Sequence, residues 1–224
     1  MFDRSSDDVP VGVPSRGLLI ALEGGDRCGK STHAARLREH LTRNGEGCEL
    51  LKFPDRTTPT GQVLDLFLWR EVELPDRAAH LLFSANRWEA EDRIRALLHA
   101  GTHVVLDRYV DSGVAYSVAR GVDPAWASCS DVGLPLSDLV LELTLPEENR
   151  AERPRFGDER YETSLLQSAA TRAFVSRRRD DGWVVVDASG TEEEVWARVE
   201  AAVALALVWD RGVLKSVEGC YRPQ

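Results

Sequence analysis

Sulfur is scarce in this chain: it has one methionine and four cysteines, and no two cysteines are spaced as C-x-x-C. The four, Cys28, Cys48, Cys129 and Cys220, lie far apart along the sequence. Such spacing is typical neither of a zinc site nor of a disulfide framework. We therefore expect a reducing compartment, the cytoplasm or the nucleus, and no metal centre built from cysteine.

Long apolar runs and an excess of positive charge are also missing. No stretch of 18 apolar residues occurs, and residues 1–14 are polar and acidic, which predicts neither a membrane span nor a targeting segment. The chain has 28 Lys and Arg against 37 Asp and Glu, a net charge of −9. A protein that coats nucleic acid needs a basic face, so the balance argues against that class and against a nucleic-acid partner. A small anionic substrate remains possible, because a few inward-pointing arginines can make a positive pocket.

What the sequence does contain is an alternation of short apolar runs with helical periodicity, in 224 residues of which 43% are hydrophobic. Val- and Leu-rich strands separated by helices predict an α/β domain with a parallel sheet covered on both faces. Residues 16–208 form the predicted domain, 146–160 a functional loop or lid, and 1–15 and 209–224 loosely held ends. The predicted strands are 18–22, 49–53, 103–106, 139–145 and 183–186; the predicted helices are 30–43, 62–70, 75–99 and 192–208, the last with Thr191 as N-cap.

A phosphate-binding loop is the strongest local motif. Residues 24–31 match G-x-x-x-x-G-K-[ST] and lie between a predicted strand and a predicted helix, the context that the motif requires. Glycines let successive backbone N–H groups point at phosphate oxygens, and the helix N-terminus adds positive potential. Lys30 is expected to bridge the β- and γ-phosphates of a nucleotide, and the Ser31 hydroxyl to ligate Mg²⁺. The residues assigned to donor binding in this loop are Gly24, Gly25, Asp26, Arg27, Cys28, Gly29, Lys30, Ser31 and Thr32.

Three side chains inside the loop carry further expectations. Asp26 is an acid in an anion site, which requires a hydroxyl or cation as its partner. Arg27 would place a guanidinium beside the transferring phosphoryl group, as an arginine finger supplied in cis; the alternative is a solvent-facing charge. Cys28 is near a helix N-terminus, which can lower a thiol pKa, but a small residue that packs well is the simpler interpretation.

A second motif follows the predicted strand 103–106. Asp107 and Arg108 end that strand, and ligands of parallel sheets gather at the carboxyl ends of strands. Both side chains are therefore expected to face the phosphate crevice.

Taken in order, the motifs resemble those of the thymidylate kinases, in particular the eukaryotic kind with an arginine in the phosphate loop. The resemblance covers residues 16–207 with matching spacings. It consists of E-G-x-D-R-x-G-K-S-T, F-P-x-R, L-L-F-S-A-N-R-W-E, D-R-Y-x-x-S-G-x-A-[FY], D-V-G-L-P, F-G-x-E-R-Y-E (156–162) and V-D-A-S (186–189).

This resemblance implies a P-loop nucleoside monophosphate kinase fold with a five-stranded parallel sheet, flanking helices and a short lid. It also implies transfer of the γ-phosphoryl group of Mg-ATP to dTMP in dTTP synthesis for DNA, with Mg²⁺ as cofactor and a homodimer as assembly.

The resemblance likewise implies roles for individual residues. Arg56 and Arg108 would hold the acceptor 5′-phosphate, and Asp26 would bond the 3′-hydroxyl. Phe83 would stack on the base and Arg87 would reach its edge. The remaining implied positions are Tyr116 under the sugar, Tyr161 over it, Leu68, Phe53, Ser112 and Gly113 in the acceptor site, Arg153 against the donor nucleotide, and Asp107 ordering magnesium through water. Without the resemblance, a phenylalanine such as Phe83 on a helix is more often part of the core.

Three positions depart from the family pattern: Ser137 replaces a usual proline, Tyr116 a frequent phenylalanine, and Arg155 a small residue. Two alternative functions are considered for this sequence. One is that of a different nucleoside or nucleotide kinase, and the other is that of a GTPase or nucleotide-sensing module. The guanine-reading N-K-x-D motif is absent from the sequence, which counts against a GTPase.

Overall fold

A parallel sheet organises the chain. The computed structural model describes residues 16–146, 149, 157–209 and 212–218. Its strands are β1 (Leu19–Gly24), β2 (Cys48–Lys52), β3 (His103–Asp107), β4 (Leu139–Thr144) and β5 (Trp183–Asp187), ordered β2-β3-β1-β4-β5 with every neighbouring pair parallel. Because β1 lies between β3 and β4, the loops that follow β1 and β3 meet at one edge of the sheet.

Helices cover both faces of this sheet. They are α1 (Lys30–Arg43), α2 (Pro59–Leu68), α3 (Asp76–Trp88), α4 (Glu91–His99), α5 (Val110–Ala119), α6 (Pro124–Cys129), α7 (Ser164–Arg177) and α8 (Glu192–Leu207). Within the described residues, none of these helices is long and apolar enough to cross a bilayer.

The core divides into layers according to the alternation of side chains along the strands. On one face, Ile20 and Leu22 of β1 pack with Leu37 of α1 and Val199 of α8. On the other, Leu19 and Ala21 pack with residues of α4 and α5, including Ile94 and Val114. Burial on both faces explains why the strand reads as a continuous apolar run rather than an alternating one.

The five predicted strands are confirmed, with ends that differ by one or two residues. The predicted 30–43 helix is confirmed, and so is the last helix, where Thr191 caps α8 and Glu194 completes a capping box. The helix predicted over 62–70 starts earlier, at Pro59, because Thr58 accepts a hydrogen bond from the Gly61 N–H and sets the N-terminus there. Helices α5, α6 and α7 were not predicted from the sequence.

The prediction of one helix over 75–99 is wrong. The chain forms α3 and α4 instead, which are interrupted at Glu89 and Ala90. Neither position is proline or glycine, so the sequence carries no breaking signal. The interruption serves packing: α3 contacts α2 and α5 beside the site, whereas α4 lies on β3 and buries Ile94 and Leu98.

Part of the segment beyond α8 is also held more firmly than expected. Residues 214–217, here called the C-terminal strap, run antiparallel to residues 133–136. The Leu136 N–H donates to the Lys215 carbonyl (2.9 Å), and the Val217 N–H donates to the Leu134 carbonyl (2.8 Å). The Val217 side chain is buried in the core. The expectation of a loosely held end is therefore wrong for these four residues.

Candidate active site

The loop after β1 has the geometry of an anion-binding turn. Gly24 has a φ of 121°, and a Cβ there would lie 2.2 Å from the Leu143 carbonyl oxygen, so no other residue fits. Gly29, with a φ of 87°, is the N-cap of α1 and forms no side-chain cap. The Lys30 side chain is buried and its ammonium group donates to the Gly25 carbonyl (2.5 Å). The ammonium group of Lys30 is thus held inside the same turn as the backbone amides of the loop.

Two oxygen-bearing side chains meet beside this turn. The Ser31 hydroxyl at the start of α1 donates to Asp107 Oδ2 at the end of β3, over 2.5 Å. A hydroxyl and a carboxylate are hard oxygen donors, the kind that Mg²⁺ prefers, and it usually takes only one or two protein ligands beside waters and phosphates. The pair therefore suits an octahedral cation held jointly with a nucleotide. No cluster of three or more metal-binding His, Cys, Asp or Glu side chains was found in the part of the chain described.

One cavity, of about 460 Å³, brings the predicted site residues together. Of the residues assigned from the sequence, those in its lining are Asp26, Arg27, Gly29, Lys30, Ser31, Thr32, Phe53, Arg56, Leu68, Phe83, Arg87, Asp107, Arg108, Ser112, Gly113, Tyr116 and Tyr161. Gly24 and Gly25 belong to the loop but not to the lining. The Cys28 side chain packs in the core, which agrees with a small residue chosen for fit. Arg153 and Arg155 lie outside the described residues.

Arg56 and Arg108, from distant parts of the sequence, line this same cavity. The Arg56 guanidinium donates to Asp65 (2.5 Å) and to Glu159 (2.7 Å). Two arginines in one concave site can hold a dianion through several charge-assisted hydrogen bonds. The cavity thus contains two guanidinium groups, each paired with a carboxylate, besides the ammonium group of Lys30.

Arg108 is bound into a network with the phosphate loop. Its Nη1 donates to the Gly24 carbonyl (3.0 Å) and to the Ser112 hydroxyl (3.1 Å), and its Nη2 pairs with Asp26. Asp26 also accepts from the Tyr116 hydroxyl (3.1 Å) and from the amide of Gln167. Burial alone would raise the pKa of Asp26, but Arg108 and Lys30 reverse the effect and hold that pKa below its usual value. Asp26 thus has both a cation and a hydroxyl as partners.

The backbone of Arg108 has a φ of 69°, and that of Arg27 has a φ of 62°. Non-glycine residues in this left-handed region are uncommon and cluster at functional sites, where the surroundings hold them. Of the three such residues described, Arg27 and Arg108 line the cavity, and Arg70 (φ 64°) does not.

Aromatic rings form the opposite part of the cavity. The rings of Tyr116 and Tyr161 are stacked, with centroids 5.6 Å apart and an interplanar angle of 11°. Phe83 on α3 lies 6.1 Å from the Tyr161 ring and is half-buried. Burial raises the pKa of Tyr161 to about 12, so its hydroxyl stays neutral at physiological pH. These flat apolar faces suit a planar ring rather than an extended chain.

Arg87 is fixed by a residue that the sequence did not single out. Its Nε and Nη2 donate to Asp131 over 2.7–3.0 Å, and the two side chains are 2% and 0% exposed. Gly113 makes room for this guanidinium, because a Cβ there would come within 2.6 Å of Nη2. Within the described residues no hydrogen bond involves Nη1, which leaves that donor for a ligand. The only signal for Asp131 was its position in D-V-G-L-P.

Arg27 projects from the phosphate loop toward the chain that follows the predicted lid. Its Nε and Nη2 pair with Glu162 Oε1 over 2.8 and 2.7 Å, and 31% of its side chain is exposed. The alternative of an arginine facing solvent is therefore not what the structure has. Glu162 also accepts from the N–H groups of Gly157 and Glu159, and these hydrogen bonds hold the segment 157–162 together.

Two more buried residues at the site were missed. Gln167 on α7 donates to Asp26 and to the Tyr161 carbonyl (2.9 Å), which fixes Asp26 from a third direction. Glu23, the residue before the loop, accepts from Tyr109 and Ser112 at the start of α5. The Gln167–Asp26 and Glu23–Tyr109 pairs join residues 141 and 86 positions apart, so no local pattern predicts them. The one signal for Glu23 was its place as the first residue of E-G-x-D-R-x-G-K-S-T.

Ser137, at one departure from the family pattern, lies in a turn that side chains hold. Its carbonyl accepts from Arg179 Nη2 (3.0 Å). The next residue, Asp138, pairs bidentately with Arg16 over 2.6 and 2.7 Å. These contacts tie the turn to Arg179 and Arg16.

Comparisons with known proteins all point to one family. The family model described as Thymidylate kinase matches residues 22–199. A thymidylate kinase of Homo sapiens is 45% identical over 183 residues, which cover 80% of this chain and 86% of the human protein. One of Dictyostelium discoideum is 42% identical over 181 residues, covering 80% and 82%. The solved structure of the thymidylate kinase of Candida albicans, described as having broad substrate specificity, superposes with a TM-score of 0.83 at 35% identity and covers 90% of this chain and 98% of that one.

Proposed function

The chain belongs to the thymidylate kinase family, and from this premise we propose how its cavity carries out the reaction of a dTMP kinase. The enzyme transfers the γ-phosphoryl group of ATP to dTMP and yields dTDP and ADP, a step in the supply of dTTP for DNA. The observation that carries the residue assignments is that Arg56 and Arg108 line one cavity with the loop around Lys30. Donor and acceptor phosphates would meet there.

Steady-state phosphorylation of a substrate panel tests this function. We expect rapid ATP-dependent turnover of dTMP, slower turnover of dUMP, and little of dGMP or free thymidine. Strong activity on thymidine without activity on dTMP would indicate a nucleoside kinase. Failure to turn over ATP with any monophosphate would indicate a nucleotide-binding module. The dUMP and dGMP arms also measure how broad the substrate specificity of this chain is.

We propose that the donor phosphates lie in the loop at 24–31, with Lys30 at the β- and γ-phosphates. The support is the left-handed glycine geometry, the helix N-terminus of α1 and the buried ammonium group. In this proposal Arg27 makes the enzyme one of the thymidylate kinases with a catalytic arginine in the phosphate loop. Arg153 in the lid would contact the donor nucleotide as a further cation.

Ser31 and Asp107 are proposed to hold Mg²⁺, Ser31 directly and Asp107 through water. Their 2.5 Å contact places a hydroxyl and a carboxylate together at the end of the loop. When bound, Mg²⁺ would neutralise charge on the phosphate oxygens and favour phosphoryl transfer.

The acceptor phosphate is proposed to bind between Arg56 and Arg108. These side chains are held by the carboxylates of Asp65, Glu159 and Asp26, so binding exchanges some of these contacts for phosphate oxygens. Asp26, ionised because its pKa is lowered, would accept from the 3′-hydroxyl. The acceptor phosphate is itself an anionic nucleophile, so alignment and charge neutralisation suffice and no general base is needed.

The base is proposed to lie on Phe83, with Arg87 Nη1 donating to its edge and Leu68 completing the pocket. Tyr116 and Tyr161 would enclose the sugar. Buried Asp131 fixes the direction of the arginine, and a fixed polar group discriminates among bases more strongly than an apolar wall does.

Phe83→Ala is expected to weaken dTMP binding by up to about 3 kcal/mol, the upper range for stacking on one base. ATP affinity should not change, because Phe83 belongs to the aromatic part of the cavity beside Tyr161 and not to the loop at 24–31. Phe83→Leu keeps apolar volume without a flat ring and should give an intermediate affinity. Titration calorimetry with dTMP and with ATP measures both, and an unchanged dTMP affinity in Phe83→Ala would remove Phe83 from the base site.

We further propose a homodimer, located in the cytoplasm or nucleus. Large apolar side chains are 39–49% exposed on or next to α2 and α3, namely Leu66, Trp69, Leu81 and Trp88. Clustered exposed apolar surface is typical of an interface between subunits. Sedimentation of the purified chain at micromolar concentration tests the proposal, and a monomer at all concentrations would contradict it.

A further inference from the structure

Glu23 is a buried carboxylate for which the reaction described above has no use. It lies on β1 and is 0% exposed. Its Oε1 accepts from the N–H groups of Tyr109 (2.9 Å) and Ser112 (3.1 Å), and its Oε2 accepts from the Ser112 hydroxyl. Both oxygens are therefore engaged at the beginning of α5.

The start of α5 explains why a carboxylate lies there. Tyr109 is the N-cap of this helix and forms no side-chain cap. The first N–H groups of a helix need acceptors from outside it, and negative charge is favoured at that end. Glu23 supplies the acceptors from the neighbouring strand, and in its ionised form it also supplies the negative charge. Burial and the Asp111 carboxylate raise the pKa of Glu23 to about 7, while hydrogen bonds from Ser112 and the charge of Arg108 act in the opposite direction.

The same contact sets the direction of the Ser112 hydroxyl. A serine hydroxyl has one proton to donate. Because that proton goes to Glu23, the Ser112 oxygen presents a lone pair to Arg108 Nη1, which donates to it over 3.1 Å. Arg108 has an unfavourable φ of 69°, so its conformation depends on the contacts around it.

We propose that Glu23 is a positioning residue for the acceptor phosphate: it fixes the start of α5 and orients the Ser112 hydroxyl, and so holds the Arg108 guanidinium in the cavity. The inference rests on the proposed role of Arg108 as a phosphate ligand. It adds a residue that acts through Ser112 and Arg108 and does not itself touch the substrate.

Glu23→Gln separates this role from a purely structural one. The new amide oxygen can still accept from the two backbone N–H groups. The amide nitrogen, however, is a donor facing the Ser112 oxygen. The hydroxyl then lies between two donors, this amide and Arg108, and loses the acceptor that held its proton in one direction. We expect dTMP to bind about tenfold more weakly, equivalent to one hydrogen bond to a charged group. Thymidine lacks the phosphate, so its affinity should not change.

Glu142→Gln is the matched control. Glu142 is the neighbour of Glu23 in sheet register and is also buried, but its carboxylate pairs with Arg178 and Trp183, and neither of these partners lines the cavity. Calorimetry with dTMP and thymidine should therefore give wild-type values for both ligands. If Glu23→Gln weakens dTMP and thymidine equally, or weakens neither, the proposal is overturned.

Ser112→Ala keeps the proposal testable if Glu23→Gln folds poorly. It removes the intermediate hydroxyl and should also weaken dTMP binding without affecting thymidine. The double variant should lose less than the sum of the two single losses, because both act through one contact to Arg108. Additive losses would contradict the proposed path. Failure of the wild-type chain to phosphorylate dTMP would instead defeat the proposed function, a separate outcome.

Discussion

Arg27→Ala is expected to lower kcat about 10³-fold, the lower end of the range for arginine fingers, with little change in the affinities for ATP and dTMP. An arginine that acts on charge developing in the transition state contributes to turnover and not to ground-state binding. Its left-handed backbone and its position in the cavity lining support this role, since strain of this kind is retained where surroundings and function require it. Single-turnover phosphorylation of dTMP measures the chemical step directly.

Arg36→Ala is a suitable control for this variant. Arg36 also pairs with a glutamate, Glu193, over 2.6 and 2.7 Å, but it lies on the solvent side of α1 and outside the cavity lining. Loss of that exposed pair should leave turnover at the wild-type level. Near-normal turnover of Arg27→Ala would exclude Arg27 from the transition state. A large loss in ATP affinity instead would make it a binding residue.

The pairing of Arg27 with Glu162 predicts that loss of Glu162 has a smaller effect on turnover than loss of Arg27. Glu162 holds the guanidinium beside the loop but carries negative charge into a site that must accept phosphates. Its loss should therefore affect turnover much less than the loss of Arg27, because the cation is retained.

The features that could be predicted from the sequence are those that depend on local sequence patterns. The strands, the loop at 24–31 and the α8 cap depend on residues within a few positions of one another. The ordered motifs of the family then placed Arg56, Phe83 and Arg108 in one site, and the cavity lining includes all three. The individual roles of these residues stay predictions.

What the sequence did not predict depends on contacts between distant residues. The break between α3 and α4 has no proline or glycine, and it follows from where each helix packs. Asp131 and Gln167 are ordinary polar residues until the fold brings them to Arg87 and Asp26, 44 and 141 residues away in sequence. The C-terminal strap likewise lies beyond the family match, which ends at residue 199, and its docking depends on the 133–136 segment.

Asp131→Asn is expected to lower the free energy of unfolding by about 3–5 kcal/mol, because it leaves the Arg87 guanidinium buried without its counter-charge. The pair is 2% and 0% exposed, so solvent cannot compensate. Urea denaturation followed by circular dichroism measures the change. A loss below about 1 kcal/mol, the level of exposed pairs, would contradict the inference that the pair is desolvated.

A double variant, Arg87→Met with Asp131→Leu, separates the contribution of the buried ion pair to stability from its role in recognition of the base. Replacement of both members of a buried ion pair by apolar residues of similar size is often neutral for stability. Ser84, which donates to Asp131, keeps the Ser130 carbonyl as its partner. Stability should therefore largely recover, whereas dTMP binding should stay roughly 10- to 100-fold weaker, since the Nη1 donor to the base edge is gone. If both stability and dTMP affinity recover, Arg87 supports the fold and does not read the base. If neither recovers, the volume of the pair, and not its charge, shapes the pocket.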